Sequence, residues 1–265
     1  MIVVTSVNNG RIKQCVKLRD RRSRDRNDKF LIEGYRELSR AVDATKTIEV
    51  LFYCPDLFLG TNEQTIISLL EGRGVEIIQC SEKVFRKISY RDRPDGLLAI
   101  APQMNMTFDD FRNDTPPLIV VAEAIEKPGN LGTILRSSDA SGVNGLVVCD
   151  RCTDLHNPNV VRASVGTLFT VPVVEAGSME TLEWLHENNI AIVATTPSAE
   201  QEYTDVDMTG PVAIVVGTEQ LGLSQQWLDA ADIAVKIPMM GIADSLNVAT
   251  ATTLLLYEVL RQRRS

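Results

Sequence analysis

The sequence predicts a two-domain α/β protein. Short β-branched runs alternate with stretches of helical apolar spacing, and one polar stretch interrupts the alternation. The 265 residues also exceed the roughly 100–200 expected of a single domain. With 44% hydrophobic residues, the chain is too apolar to be a disordered tail.

The first series begins at Phe30–Glu33, which reads as a short strand followed by a helical pattern over residues 34–45. Residues 48–54 are strand-like, 65–72 helical and 75–80 strand-like again. Ser81 is a good N-cap for a helix that spaces Val84, Phe85 and Ile88 on one face, and residues 96–101 close the unit. Residues 106–117, rich in acids, Asn, Thr and Pro, read as the linker between domains 1–105 and 118–265. The second series has strand-like runs at 118–123, 145–150, 170–175, 190–196, 211–217 and 233–239, and a long helical pattern ends the chain. Their apolar character on both faces points to buried parallel strands.

The formal net charge of −8 argues at first against a nucleic-acid partner. It is unevenly spread. Residues 11–29 hold nine basic side chains against three acidic ones, so that segment is +6 and the rest of the chain −14. The segment is either a solvated charged helix or a surface that tracks phosphates. Five scattered cysteines suit a reducing compartment, and Cys149 and Cys152 read as ordinary thiols or as a redox pair. The two histidines are not spaced to complete a zinc site with them. The N-terminus has no signal-peptide pattern and no 18 apolar residues run together, so a cytoplasmic protein without a membrane span is expected.

Ligands of open parallel sheets bind beyond the carboxyl ends of the strands, and three loops there have unusual composition. In the first, Pro128, Gly129 and Gly132 lead tightly into a helix carrying Asn130 and Arg136. Six residues at 100° each do not stack these two, so a shared site needs Asn130 in the loop. Arg136, on the buried side among small residues, would grip a phosphate or carboxylate, or form a structural ion pair. In the second loop, Gly217 and Gly222 bracket Glu219 after an apolar strand, as a close-approach site or a plain turn. The Lys-Ser/Thr pair of a phosphate loop and the G-x-G-x-x-G dinucleotide pattern are both missing. In the third, Asp244 or Ser245 can cap the last helix, with Ser245 and Asn247 beside its free N–H groups.

Taken together, the order N-x-G-x-x-x-R, G-x-E-x-x-G and I-P-M-x-G-x-x-x-S-L-N resembles the three signature motifs of the SpoU-type RNA 2′-O-ribose methyltransferases of the SPOUT superfamily. The resemblance covers about residues 118–260. More weakly, the first series is similar to that family's N-terminal substrate-binding domain. The resemblance implies a parallel-sheet catalytic domain closed by a C-terminal trefoil knot, an exception to the usual rules of chain topology. It implies S-adenosylmethionine as methyl donor, lined by Thr195 or Thr196, Gly217, Ile237, Met239 and Leu246. Gly217 is expected to be free of a side chain that would crowd this ligand. Arg136 is implied as the catalytic residue, acting as general base or, since a guanidinium stays protonated, as an orienting cation. Asn130, Glu219, Ser245 and Asn247 would position it, the ribose and the cofactor.

The resemblance further implies a homodimer with shared sites, for which Leu254, Leu255, Leu256, Val259 and Leu260 offer an apolar helix face, and no metal. The expected partner is RNA, met by Arg19, Arg21, Arg22, Arg24 and Arg26. A full extra domain favours large-subunit ribosomal RNA over transfer RNA. A non-catalytic RNA-binding protein and an α/β enzyme acting on a nucleotide-containing small molecule are the competing readings.

Overall fold

The computed structural model describes residues 2–264, which divide into two compact units. The first begins with β1 (Ile2–Val4), α1 (Gly10–Lys17) and α2 (Arg21–Asn27), followed by β2 (Lys29–Glu33), α3 (Tyr35–Asp43) and β3 (Val50–Tyr53). It continues with α4 (Glu63–Gly72), β4 (Glu76–Cys80), α5 (Glu82–Ile88) and β5 (Leu97–Pro102). Its sheet has the order β1-β4-β3-β5-β2. Strands β1, β4 and β3 are parallel, whereas β5 runs antiparallel to both β3 and β2. Ile12, Cys15, Leu18, Phe52, Ile78 and Phe85 are fully buried against one another beneath it.

Helix α2 forms because Asp20 accepts the Ser23 N–H at 3.2 Å and Asp28, at φ +51°, ends it in the left-handed region. The basic stretch is therefore two short capped helices. Edge strand β1 has no counterpart among the strands expected from sequence.

The second unit contains β6 (Leu118–Glu123), α6 (Pro128–Ser141) and β7 (Gly145–Cys149). The next helix, α7 (Pro158–Ser164), belongs by packing to the first unit, as does the whole stretch Asp154–Thr170. There follow β8 (Val173–Ala176), α8 (Ser178–Glu187), β9 (Ala191–Thr195), β10 (Gln201–Glu202), β11 (Val212–Val216), α9 (Gln225–Ala230), β12 (Ile233–Lys236) and α10 (Val248–Arg263). All seven strands are parallel in the order β10-β12-β9-β11-β6-β7-β8. Strands β6, β7 and β11 are buried along their full length, which is why they read as continuous apolar runs.

Two expectations about organisation need correction. The contiguous ranges 1–105 and 118–265 miss the return of residues 154–170 to the first unit, where Phe30 packs on His156 and Phe169. The expected linker 106–117 packs with the second unit: Phe111 is buried, its ring filling the space a side chain at Gly145 would need, and Phe108 stacks on Trp184 at 4.7 Å. Two aromatic anchors outweigh the polar composition around them.

Candidate active site

A cavity of about 590 Å³ opens where β9, β11 and β12 end. It is walled by residues 195–198 after β9, 216–223 after β11, and 237–246 after β12, with Val248 and Ala251 of α10 at its back. This is the position the strand-end rule assigns to a ligand. Thr195, Thr196, Gly217, Ile237, Met239 and Leu246 all line it, as do Glu219 and Ser245.

The wall after β11 is held by its own backbone. Thr218 and Gly222 exchange N–H to C=O bonds at 3.0 and 3.1 Å, and Leu221 N–H donates to Thr218 Oγ1 at 2.9 Å. Gly222 sits at φ +70°, conformationally cheap for glycine. A Cβ at Gly217 would overlap the Gly222 carbonyl and lie 2.6 Å from the Leu223 nitrogen. Whatever a ligand there requires, the folded-back loop by itself already excludes a side chain at Gly217. From below, buried Glu123 at the end of β6 accepts the Ser224 N–H through Oε2 at 2.9 Å and ties the loop to the sheet. Sequence reasoning gave Glu123 no role; an acid closing an otherwise apolar strand was its only signal.

Glu219 has one carboxylate oxygen 3.4 Å from Lys127 Nζ, while Oε1 is buried with no donor. The Thr195 hydroxyl in the same wall is likewise buried and unpartnered. Lys127 was also overlooked, and its place just before Pro128 at the start of α6 is all the sequence offered.

Asn130 lies within the first turn of α6, not in the preceding loop. Its Oδ1 accepts from Asn247 Nδ2 at 3.1 Å, while its Nδ2 is buried without an acceptor. Asn247 in turn accepts the Ala249 N–H at 3.1 Å and caps α10, the part expected of Asp244 or Ser245. Small residues on α6 let α10 approach closely, with Ser137 and Thr253 hydroxyls 2.6 Å apart.

Arg136 is not on the buried side. Its side of α6 carries exposed Thr133 and Asp139, whereas Leu131, Leu135 and Ser138 face inward. It does not line the cavity and has no ion pair among the described residues. Six residues at 100° each leave it about 120° around the helix from Asn130, so the two do not share one face of α6.

Of the five arginines expected to meet RNA, two are committed to the fold. Arg24 is 1% exposed; its guanidinium pairs with buried Asp154, with Nε at 3.0 Å, and donates to the Leu18 and Arg19 carbonyls at 2.9 and 2.7 Å. Arg19 donates to Lys87 O at 2.9 Å and to Ser89 O, capping α5. Arg21, Arg22 and Arg26 are exposed, Arg21 lying 3.7 Å from Asp25.

All five cysteines are free thiols. Burial pushes the Cys149 thiol above its ordinary range despite the nearby Ser178 and Thr181 hydroxyls, which disfavours a reactive pair with exposed Cys152. Among the described residues no group of three His, Cys, Asp or Glu could hold a metal, and no helix is long and apolar enough to cross a membrane.

Residues 117–257 match the model of the SpoU rRNA Methylase family, and residues 9–99 match the MRM3-like substrate binding domain. The chain is 32% identical over 254 residues to a 23S rRNA (uridine(2479)-2′-O)-methyltransferase of Streptomyces viridochromogenes, covering 94% of this chain and 88% of that one. A crystal structure of an RNA 2′-O ribose methyltransferase superposes with a TM-score of 0.88 at 42% identity, covering 100% of both chains. An AdoMet-bound rRNA methyltransferase from Sinorhizobium meliloti superposes with a TM-score of 0.89 at 30% identity, covering 98% of this chain and 97% of that one.

Proposed function

Since this chain belongs to the SpoU rRNA methylase family, we propose that it transfers the methyl group of S-adenosylmethionine to a ribose 2′-hydroxyl of large-subunit ribosomal RNA. The observation that carries the reading is that Thr195, Thr196, Gly217, Ile237, Met239 and Leu246 line one and the same cavity. Its wall fits such a cofactor. Apolar Val216, Leu223, Ile237 and Leu246 line it together with Gly217 and Gly222, suited to an adenosine, and the unpartnered Thr195 hydroxyl and Glu219 Oε1 await polar partners.

When bound, S-adenosylmethionine supplies a methyl group already activated on a cationic sulfur. The chain's own residues then have to bind, orient and polarise the hydroxyl, and orientation is a large share of that task. Arg136 is the catalytic residue in this reading. A guanidinium is a poor base, so its part is to grip the neighbouring phosphate, hold the hydroxyl in line and stabilise developing charge. Glu219 Oε1 is an acceptor for a hydroxyl hydrogen, with Lys127 fixing the other oxygen. Ser245 borders the cofactor, and the Asn130–Asn247 pair holds the start of α10 against α6.

The outward Arg136 has a natural destination in a homodimer, where it serves the site of a second copy. Exposed Leu254 and Tyr257 of α10 suit that interface; Leu255, Leu256 and Val259 are buried inside the subunit and Leu260 is half-buried. We also assign a trefoil knot to the segment between β12 and α10, which must cross from a strand near one edge of the sheet to a helix packed on α6. A cytoplasmic setting, where ribosomal RNA is modified, completes the reading.

Arg136→Ala is expected to abolish methyl transfer while S-adenosylmethionine still binds, measured by single-turnover transfer and by calorimetry. Retention of most turnover removes Arg136 from the mechanism.

A further inference from the structure

The first unit holds a second cavity, of about 800 Å³, formed by residues 35–37, 59–63, 91–95 and 162–165. Its floor is unusual in carrying buried charge with open valences. Glu63 is 3% exposed; Oε1 accepts the Leu59 and Gly60 N–H groups at 3.2 and 2.8 Å, and Oε2 has no donor. Asp95, 9% exposed, accepts the Tyr35 N–H through Oδ2 at 2.8 Å and leaves Oδ1 without a donor. Arg91 donates through Nη2 to Glu33 O at 2.8 Å and Glu37 Oε1 at 2.7 Å, while its Nε has no acceptor.

This floor is fixed in place. Glu33 accepts the Tyr90 N–H at 2.7 Å and the Ser89 hydroxyl, locking the chain into which Arg91 is built. Gly34, at φ +111°, leaves room for the guanidinium, since a Cβ there would lie 2.7 Å from Arg91 Cζ. Around the rim Arg36, Arg93 and Arg162 are exposed and without ion pairs among the described residues, against one exposed carboxylate, Asp92.

We propose that this cavity binds an unpaired guanosine nucleotide of the RNA substrate. Two buried acceptors and one buried donor complement the guanine edge, which offers N1–H and N2–H₂ beside the O6 acceptor. Uracil and cytosine present two acceptors and one donor group, the same set as the floor and so the reverse of what it requires, and adenine presents one of each. Buried unpaired carboxylate oxygens reject a base that turns carbonyls toward them. The rim arginines suit the flanking phosphates, and recognition of a splayed-out base is the usual way single-stranded RNA is read. The cavity thereby supplies the sequence discrimination that exposed arginines of α2 cannot. The ligand class rests on the RNA reading above; the geometry of the floor does not.

Binding of guanosine 5′-monophosphate and uridine 5′-monophosphate to the full chain would be measured by calorimetry, with excess S-adenosylhomocysteine closing the other cavity. Guanosine monophosphate should bind about tenfold or more tightly than uridine monophosphate. Glu63→Gln keeps an acceptor for Leu59 and Gly60 but turns the open acceptor into a donor, so it should erase or invert that preference. Arg162→Ala should weaken both nucleotides, and Arg22→Ala neither. No preference for guanosine, or a preference untouched by Glu63→Gln, overturns the proposal. Methyl transfer to ribosomal RNA, assayed in parallel, separates the two readings. Transfer without guanosine preference rejects only this cavity, and guanosine preference without transfer rejects only the methyltransferase function.

Discussion

Arg24 shows most sharply how residue type and residue role part company. Counting charges over residues 11–29 gives it the same standing as Arg22, yet it is sealed against Asp154, 130 positions away. Removing one partner of a buried pair leaves the other charge uncompensated, so Arg24→Ala should cost about 3–5 kcal/mol of unfolding free energy. Arg22→Ala, at an exposed position, should stay within about 0.5 kcal/mol in the same denaturant titration. Equal stability of the two variants contradicts the assignment. Only the fold could distinguish these arginines, because burial of a charge is decided by a distant partner. Asn130, Glu219 and Asn247 stand out in the sequence because each belongs to a motif near a strand end, and their expected roles rest on those motifs. Glu123 and Lys127 were missed because they act through loops remote in sequence.

Elements were legible to the degree that packing imposes a pattern on them. Residues 118–123 read as a strand and form β6 over that same range, since both faces are buried. The two-residue β10 and the edge strand β1, with Ile2 and Val3 exposed, leave little such pattern. The loop after β11 stands out by its glycines, and the structure adds a backbone reason for Gly217 that the sequence does not show. Because a Cβ at Gly217 would overlap the backbone of Gly222, Gly217→Ala should force the loop open. The expected result is at least tenfold weaker S-adenosylmethionine binding, a change of about 1.4 kcal/mol. Most of the stability should remain, because the strands beneath are anchored through both faces. Unchanged affinity in calorimetry means that the loop wall does not contribute to the cofactor site.

At the scale of the whole molecule, the net charge of −8 conceals an arrangement that no average describes. The first unit carries a cavity rimmed by exposed arginines, while the second carries the cavity at the strand ends. The two-part organisation was readable from the break in strand–helix alternation. The return of residues 154–170 to the first unit was not, since periodicity records local partners and is silent about which sheet a helix joins. A knot or a dimer would be equally invisible to it, and both stand here as proposals. The central claim is methylation of an RNA ribose, and transfer of labelled methyl from S-adenosylmethionine to ribosomal RNA, followed by nucleotide mapping, tests it most directly. The account predicts label on a ribose 2′-oxygen of the large-subunit RNA, lost in Arg136→Ala. Label on a base, or none on RNA, contradicts it.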